Sequence, residues 1–445
     1  MADTGIELSG RLSRSGDELD LRFGLDSAAL NRLTELGQIT WPDYLAPPGN
    51  AMIGGTLRGP STAAMLRTEA RLGQLTLAYE GAVDLKGFRP VDLGTLELAQ
   101  PGQFGWLRGF PGAGLLSEKP VAGTLEVVPG DDGSLMVAGP LAVGDSALDL
   151  SFSIPSADPI AVALSVDQVD LDELASVFNE VTEAYGGSAD RPLDWLGRWP
   201  RLAWGDLDLP SRPWHIDVRA AQIRNDDGLS GPAHLTLRLG ESDIELVTAS
   251  IEHDGVVLTL NGRLRPMGEA LSVQGSLDVD GRGLPLPIGP DDGAAERTAL
   301  QLRFRGAGRT AADLVGALDG ELIILSVAGE IPGIRWPATT PHTGLPPAAD
   351  RAVSYQQMTG TLEIENGTLK LDGLSGDFSP RGVGPPVPGR MTGFVDLLVG
   401  AMDATVTLGA DSGNGDHDGD PPARWRMVGP MDAPQIWIAP LDRTP

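Results

Sequence analysis

WHIDVRAAQIRNDDGLSGPAHLTLRLGESDIELVTASIEHDGVVLTLNGRLRPMGEALSVQGSLDVD, residues 214–280, decides the reading of this chain by its alternation. Leu235, Leu237 and Leu239 are interleaved with His234, Thr236 and Arg238. Leu258 and Leu260 bracket Thr259, and Leu264 continues the series beyond Arg263. Val273, Leu277 and Val279 hold odd positions again. A period of two puts alternate side chains on one face of a strand. The spacing therefore predicts a ladder of short β-strands with one aliphatic and one polar face. Asp227-Gly228 and Asp254-Gly255 read as turns, and Gly262 and Gly275 fall near strand ends. No helical period interrupts the run. Further on, Leu362 and Ile364, then Leu369 and Leu371, repeat the alternation. What covers the aliphatic face is the question for function.

The chain has 445 residues, enough for two or three ordinary domains or one elongated repeat body. Its formal charge of -28 excludes nucleic acid as a partner, because a phosphate backbone is held by Lys and Arg. Solubility accounts for the acidity. There are no cysteines, so neither disulfides nor thiolate metal sites hold the fold, and the compartment stays open. The 59 Gly and 36 Pro punctuate periodic segments, which suits many short strands. No segment reaches the roughly 18 consecutive apolar residues that span a bilayer. Met1–Leu12 lacks the basic and apolar regions of a signal peptide. The expectation is a soluble chain as written, or the body of a longer protein.

In chain order, Ile6–Leu12 and Glu18–Leu25 read as a hairpin, with Asp26 capping a short helix at Ser27–Leu36. Ala51–Gly59, Arg71–Leu85 and Phe88–Leu98 read as strands. Val121–Val128, Ser134–Ala138, Ala147–Ile154 and Ile160–Val166 are four more. A helix at Leu171–Ala184 repeats apolar positions at three and four, with Asp170 and Asp172 as charges near its start. Gly186–Pro213 carries Trp195, Trp199 and Trp204 among prolines. It reads as a hinge between an N-terminal section, 1–185, and a C-terminal section, 214–445; a docking patch is the other reading. After the opening ladder, Leu300–Gly306 is a strand, Thr310–Leu318 a short helix and Gly320–Ala328 a strand. Met358–Ile364, Thr368–Leu371, Gly393–Leu397, Ala404–Leu408, Trp425–Val428 and Gln435–Ile438 follow as strands.

Few residues invite chemistry. His215, His234 and His253 lie nineteen residues apart and could meet on a polar face, but they form no metal-binding helix pair. Asp416-His417-Asp418-Gly419-Asp420 resembles a calcium-loop fragment without its closing glutamate. No nucleophile elbow, P-loop or dinucleotide fingerprint stands in its required context. The expectation is a protein that is not an enzyme and carries no cofactor.

At Ala299–Gly333, ALQLRFRGAGRTAADLVGALDGELIILSVAGEIPG, the chain resembles the C-terminal hallmark of the AsmA-like family. The matching positions are Gly306, Thr310, Asp313, Leu314, Leu318, Gly320 and Gly329. MTGTLEIENGTLKLDGL (358–374), GFVDL (393–397) and VGPMDAPQIWI (428–438) are similar to the family's closing strands. Pro120–Leu174 is similar to its upstream strand group. The resemblance implies an elongated, twisted, U-shaped β-sheet groove with a few short capping helices. It implies a periplasmic body anchored in the inner membrane, and a part in lipid transport and outer-membrane biogenesis. It carries no catalytic residues.

Two functions follow. The aliphatic face can hold the acyl chains of phospholipid, lined by Leu235, Leu237, Leu239, Leu258, Leu260, Leu264, Val273, Leu277, Val279, Leu362, Ile364, Leu369 and Leu371. Alternatively the sheet packs against itself, and the chain is a structural or assembly factor that contacts inner- or outer-membrane proteins through edge strands.

Overall fold

A computed structural model describes residues 4–13, 18–27, 50–87, 89–102, 119–130, 133–144, 146–155, 159–170, 209, 212–225, 228–253, 255–282, 295–335, 352–380, 386–409, 423–430 and 434–438. The fold is mainly β, as the alternation predicts. It falls into two compact units, one of Met1–Ala184 with Pro210–Glu241, the other of Tyr185–Leu209 with Ser242–Pro445.

The first unit holds β1 (Thr4–Leu12), β2 (Glu18–Ser27), β3 (Ala51–Pro60), β4 (Ala64–Leu72), β5 (Leu75–Asp84), β6 (Arg89–Pro90), β7 (Gly94–Gln100), β8 (Val121–Pro129), β9 (Leu135–Val143), β10 (Ser146–Ile154), β11 (Ile160–Asp170), β12 (Trp214–Asn225), β13 (Gly228–Ser230) and β14 (Ala233–Leu239). From β1 to β11 it is an antiparallel meander with β6 as a short addition to β5. β12 then pairs parallel with β11, from Ile160 opposite Trp214 to Asp170 opposite Arg224. β13 and β14 return antiparallel on β12. This parallel pairing ties β12–β14 to the first unit. Most of the expected hinge over 186–213 lies outside the described residues.

Register rows show why the alternation matters. Residues opposite each other in a ladder share a face. One row runs Leu8, Phe23, Gly55, Thr68, Tyr79, Leu96, Leu125 across β1 to β8. The next runs Ile6, Leu25, Ile53, Ala70, Leu77, Leu98, Gly123, Leu141, Leu148, Val166, Ala220, Ala233 across β1 to β14. The opposite face carries Arg22, Thr56, Arg67, Glu80, Thr95 and Glu126 in register.

The second unit holds β15 (Ile244–His253), β16 (Val256–Met267), β17 (Ala270–Gly281), β18 (Arg297–Gly308), α1 (Ala311–Gly316), β19 (Asp319–Arg335), β20 (Ala352–Glu365), β21 (Thr368–Lys370), β22 (Leu374–Pro380), β23 (Val387–Asp396), β24 (Ala401–Leu408), β25 (Ala423–Pro430) and β26 (Gln435–Ile438). Every pairing among its described strands is antiparallel. α1 forms where expected. The Thr310 hydroxyl accepts from the Asp313 amide at 3.0 Å, satisfying one orphan donor of the first turn. Its inward residue is Val315, 6% exposed.

One hydrophobic core closes the C-terminal part of this unit. Ile324, Tyr355, Met358, Leu362, Leu371, Leu374, Phe378, Val395, Met402, Val406, Trp425 and Met427 meet in it. A register shift in β20 between Tyr355 and Gln357 makes this possible. Before the bulge odd residues are buried, Val353 and Tyr355; after it even residues are, Met358, Leu362 and Ile364. The extra residue keeps one face inward along the whole strand.

Local expectations are corrected in several places. Asp26 and Ser27 belong to β2, paired with Met52 and Ala51, so Ser27 is strand and not the first residue of a helix. Val169 and Asp170 extend β11, because Ile223 and Arg224 pair with them in parallel. Arg71–Leu85 is split by a turn at Gly73, whose φ of 63° suits glycine, so Leu72 faces Leu75. Phe88–Leu98 is two short strands, β6 and β7. Beyond Ser27 and Asp170, the helices expected at Ser27–Leu36 and Leu171–Ala184 lie outside the described residues.

Candidate functional site

The aliphatic side chains singled out from sequence fall into three groups. Leu235, Leu237 and Leu239 sit on β14 in the first unit, opposite Val218, Ile216 and Trp214. Leu237 and Leu239 are half-buried and Leu235 is 37% exposed. Trp214 closes that end against Phe152, ring centroids 6.2 Å apart.

The second group is the ladder β15–β19. Leu258 faces Val279, Leu260 faces Leu277 and Leu264 faces Val273. The row continues Val279, Leu300, Ile324 on one line and Leu277, Leu302, Leu322 on the next. On the β15 side, Ile251 and Ala249 extend the same two lines past a bulge after Leu246. All six predicted residues here are half-buried. Each is shielded by its neighbours in the sheet and retains free surface outward. Apolar surface left in water forfeits about 25 cal/mol per Å² of possible burial, so a face of this extent favours a cover.

The third group is core. Leu362, Ile364 and Leu371 are 1%, 5% and 0% exposed, and Leu369 packs against the same cluster. Leu362, Ile364 and Leu371 leave no surface for a guest, because β20–β25 turn that face inward on itself. They leave the candidate lining, which narrows to the ladder residues and β14.

The opposite face of the ladder is charged. A hollow of about 1060 Å³ opens there, its polar walls including Glu245, Arg263, Arg303, Asp319 and Glu363. Its charges mostly satisfy one another: Arg263 meets Glu245 at 3.2 Å, and Lys370 meets Glu363 at 3.0 Å. This arrangement solvates a sheet face. Being charged, it is unsuited to acyl chains.

His215 and His234 each have their own neighbours on β12 and β14. His234 Nε2 lies 2.9 Å from Asp217 Oδ2, and Thr236 Oγ1 donates to the same oxygen at 3.2 Å. The His234 bond, with help from Thr236 and Arg219, holds the Asp217 carboxyl below its usual value against the opposing effect of burial. His215 faces Arg238 and His253 ends β15. Among the described residues no group of three or more His, Asp or Glu could hold a metal ion. The acidic loop 411–420 lies outside them. No helix among the described residues is long and apolar enough to cross a membrane, which says nothing of strands.

Two buried polar features escaped the sequence. Thr298, Ser326 and Tyr355 form a hydroxyl chain, 3.0 and 2.8 Å between oxygens, with every member at 2% exposure or less. Tyr79 lies over Gly81 and Gly94 with its hydroxyl buried and unpartnered among the described residues. A serine and threonine on the inward face of aliphatic strands was the available signal for the first.

No known protein-family model matches this chain, and no curated protein matches its sequence.

Proposed function

We propose that this chain binds lipid acyl chains on its aliphatic sheet faces and takes part, without catalysis, in phospholipid movement between the inner and outer membranes of a cell envelope. The observation that carries this reading is the row Leu260–Leu277–Leu302, half-buried on every strand, which runs from β16 to the margin of the closed core at Leu322. Such a face favours an apolar guest that completes its burial. The AsmA-like resemblance supports the same reading, and with it a periplasmic location. The guest's recognition is through shape and hydrophobicity, so the expected selectivity among phospholipids is broad.

The test is mass spectrometry of the purified chain. Phospholipid co-purifies with the natural protein and is lost from Leu260→Asp and Leu277→Asp, while circular dichroism stays unchanged. A lipid-free natural protein, or variants that simply unfold, would overturn it. A second reading, a structural or assembly factor, is favoured by the closed core around Leu362 and Val406, which needs no guest. That reading expects lipid-free protein and retention of envelope proteins instead.

A further inference from the structure

The first strand differs from every strand that follows it in the same unit. Ile6, Leu8 and Leu12 are 73%, 69% and 63% exposed, while the residues they face on β2 are half-buried or buried. Among the described residues β1 pairs only with β2, which leaves its other edge unpaired by any of them. The parity of that edge can be read. Ser13, which continues the register opposite Glu18, donates its amide to the Glu18 carbonyl at 2.9 Å. Odd residues of β1 thus turn their backbone groups toward β2. Even residues, Ile6, Leu8, Gly10 and Leu12, turn theirs to the open edge. The two charges of the strand, Glu7 and Arg11, are exposed and have no ion-pair partner among the described residues.

We propose that β1 is the interface of a two-fold homodimer, in which β1 of one copy pairs antiparallel with β1 of a second. One register satisfies every feature at once. With Ser9 on the two-fold axis, Glu7 of each copy faces Arg11 of the other, making two cross-strand ion pairs. Ile6 faces Leu12 and Leu8 faces Gly10, so the aliphatic rows continue without a break into the second copy. The facing pairs of even residues use the open backbone donors and acceptors, which is what strand addition at an edge requires. A self-complementary patch of this kind closes as a dimer and does not propagate. Charge selects the register: shifting it by two residues faces Glu7 with Ser9 and leaves both charges unpaired. The pairing does not depend on lipid.

Sedimentation equilibrium of the full chain should show a reversible monomer–dimer equilibrium. Glu7→Arg and Arg11→Glu should each weaken dimerisation by at least about tenfold through like-charge contact, and the double exchange should restore it. The chain has no cysteine, so Ser9→Cys gives a clean second readout. Facing residues of a non-hydrogen-bonded pair have Cα atoms about 4.5 Å apart, within disulfide reach. Mild oxidation should link Ser9→Cys into a covalent dimer and leave Glu7→Cys monomeric on a denaturing gel. A monomer at every concentration, a dimer indifferent to both charge reversals, or cross-linking through Glu7→Cys in place of Ser9→Cys would each overturn the proposal.

Discussion

Leu322 on β19 stands directly opposite Leu362 on β20, yet Leu322 is half-buried and Leu362 is 1% exposed. Leu322 packs at the margin of the closed core, of which Leu362 is a member, and Ile324 on the same strand is already buried in it. The same alternating chemistry therefore has two energetic roles on one sheet face. Truncation separates them. Leu362→Ala removes a fully packed side chain and should cost about 2–5 kcal/mol in urea unfolding. Leu260→Ala leaves a shallower site open to solvent and should cost less than half as much. Equal losses would mean that the ladder face is as enclosed as the core.

The hydroxyl chain Thr298–Ser326–Tyr355 gives a second measurable consequence. Burial pushes the Tyr355 phenol above its usual value, with the Ser326 bond partly opposing. Tyr79 is pushed the same way by burial. A raised folded-state value means that this contribution to stability is intact below about pH 10, the ordinary tyrosine value, and is lost as pH rises through the folded-state values. Of the four tyrosines, two should ionise late in an ultraviolet titration of the native protein. Tyr355→Phe should remove one late transition and cost about 1–3 kcal/mol, because Ser326 loses a buried partner.

Acid should act in the other direction. Arg297 grips Asp280 through two bonds, 3.0 and 2.7 Å, and Arg426 grips Asp403 at the same two distances. The arginine bonds hold both carboxyls below their usual value, as the His234 bond does for Asp217. Lowered folded-state values mean that the contribution is intact above about pH 4, the ordinary aspartate value, and is lost as pH falls through the folded-state values. The urea midpoint should be flat above that point and fall below it. Asp280→Asn with Asp403→Asn should flatten the fall, and added salt should shrink the difference because both pairs are at the surface.

The strands were legible because a half-buried sheet writes itself into sequence as a period of two, and Leu258, Leu260, Val279 and Leu277 keep that period in the register observed. α1 was legible as the short helix expected at Thr310–Leu318, while its Thr310 cap emerged only from the structure. The parallel pairing of β11 with β12 was not, since Ile160–Val166 reads the same whichever direction its neighbour runs. Nor was the closing of the core around Leu362 and Leu371. Closure depends on curvature across several strands, which the alternation of apolar and polar residues does not record. Gly360, Gly373 and Gly393 each stand where an added Cβ would meet the backbone of the next strand.

Those glycines support a last prediction. Gly393 has φ of 123°, and a Cβ there would run into the Asp403 carbonyl and the Cα of Ala404 on β24. Both contacts are backbone and cannot be relieved by rotating a side chain. The strained dihedral alone is worth about 1–3 kcal/mol, and parting β23 from β24 would disturb Val395 and Met402, which face each other in the core. Gly393→Ala should therefore destabilise the second unit by more than about 1 kcal/mol. Gly316, the last residue of α1, is the control in the same unit: a Cβ there finds only Leu398 Cδ2 at 3.9 Å. Gly316→Ala should stabilise by about 0.4–1 kcal/mol through the unfolded chain. Opposite signs in the two urea midpoints are expected; a neutral Gly393→Ala would mean that β23 and β24 part to admit the methyl group without loss.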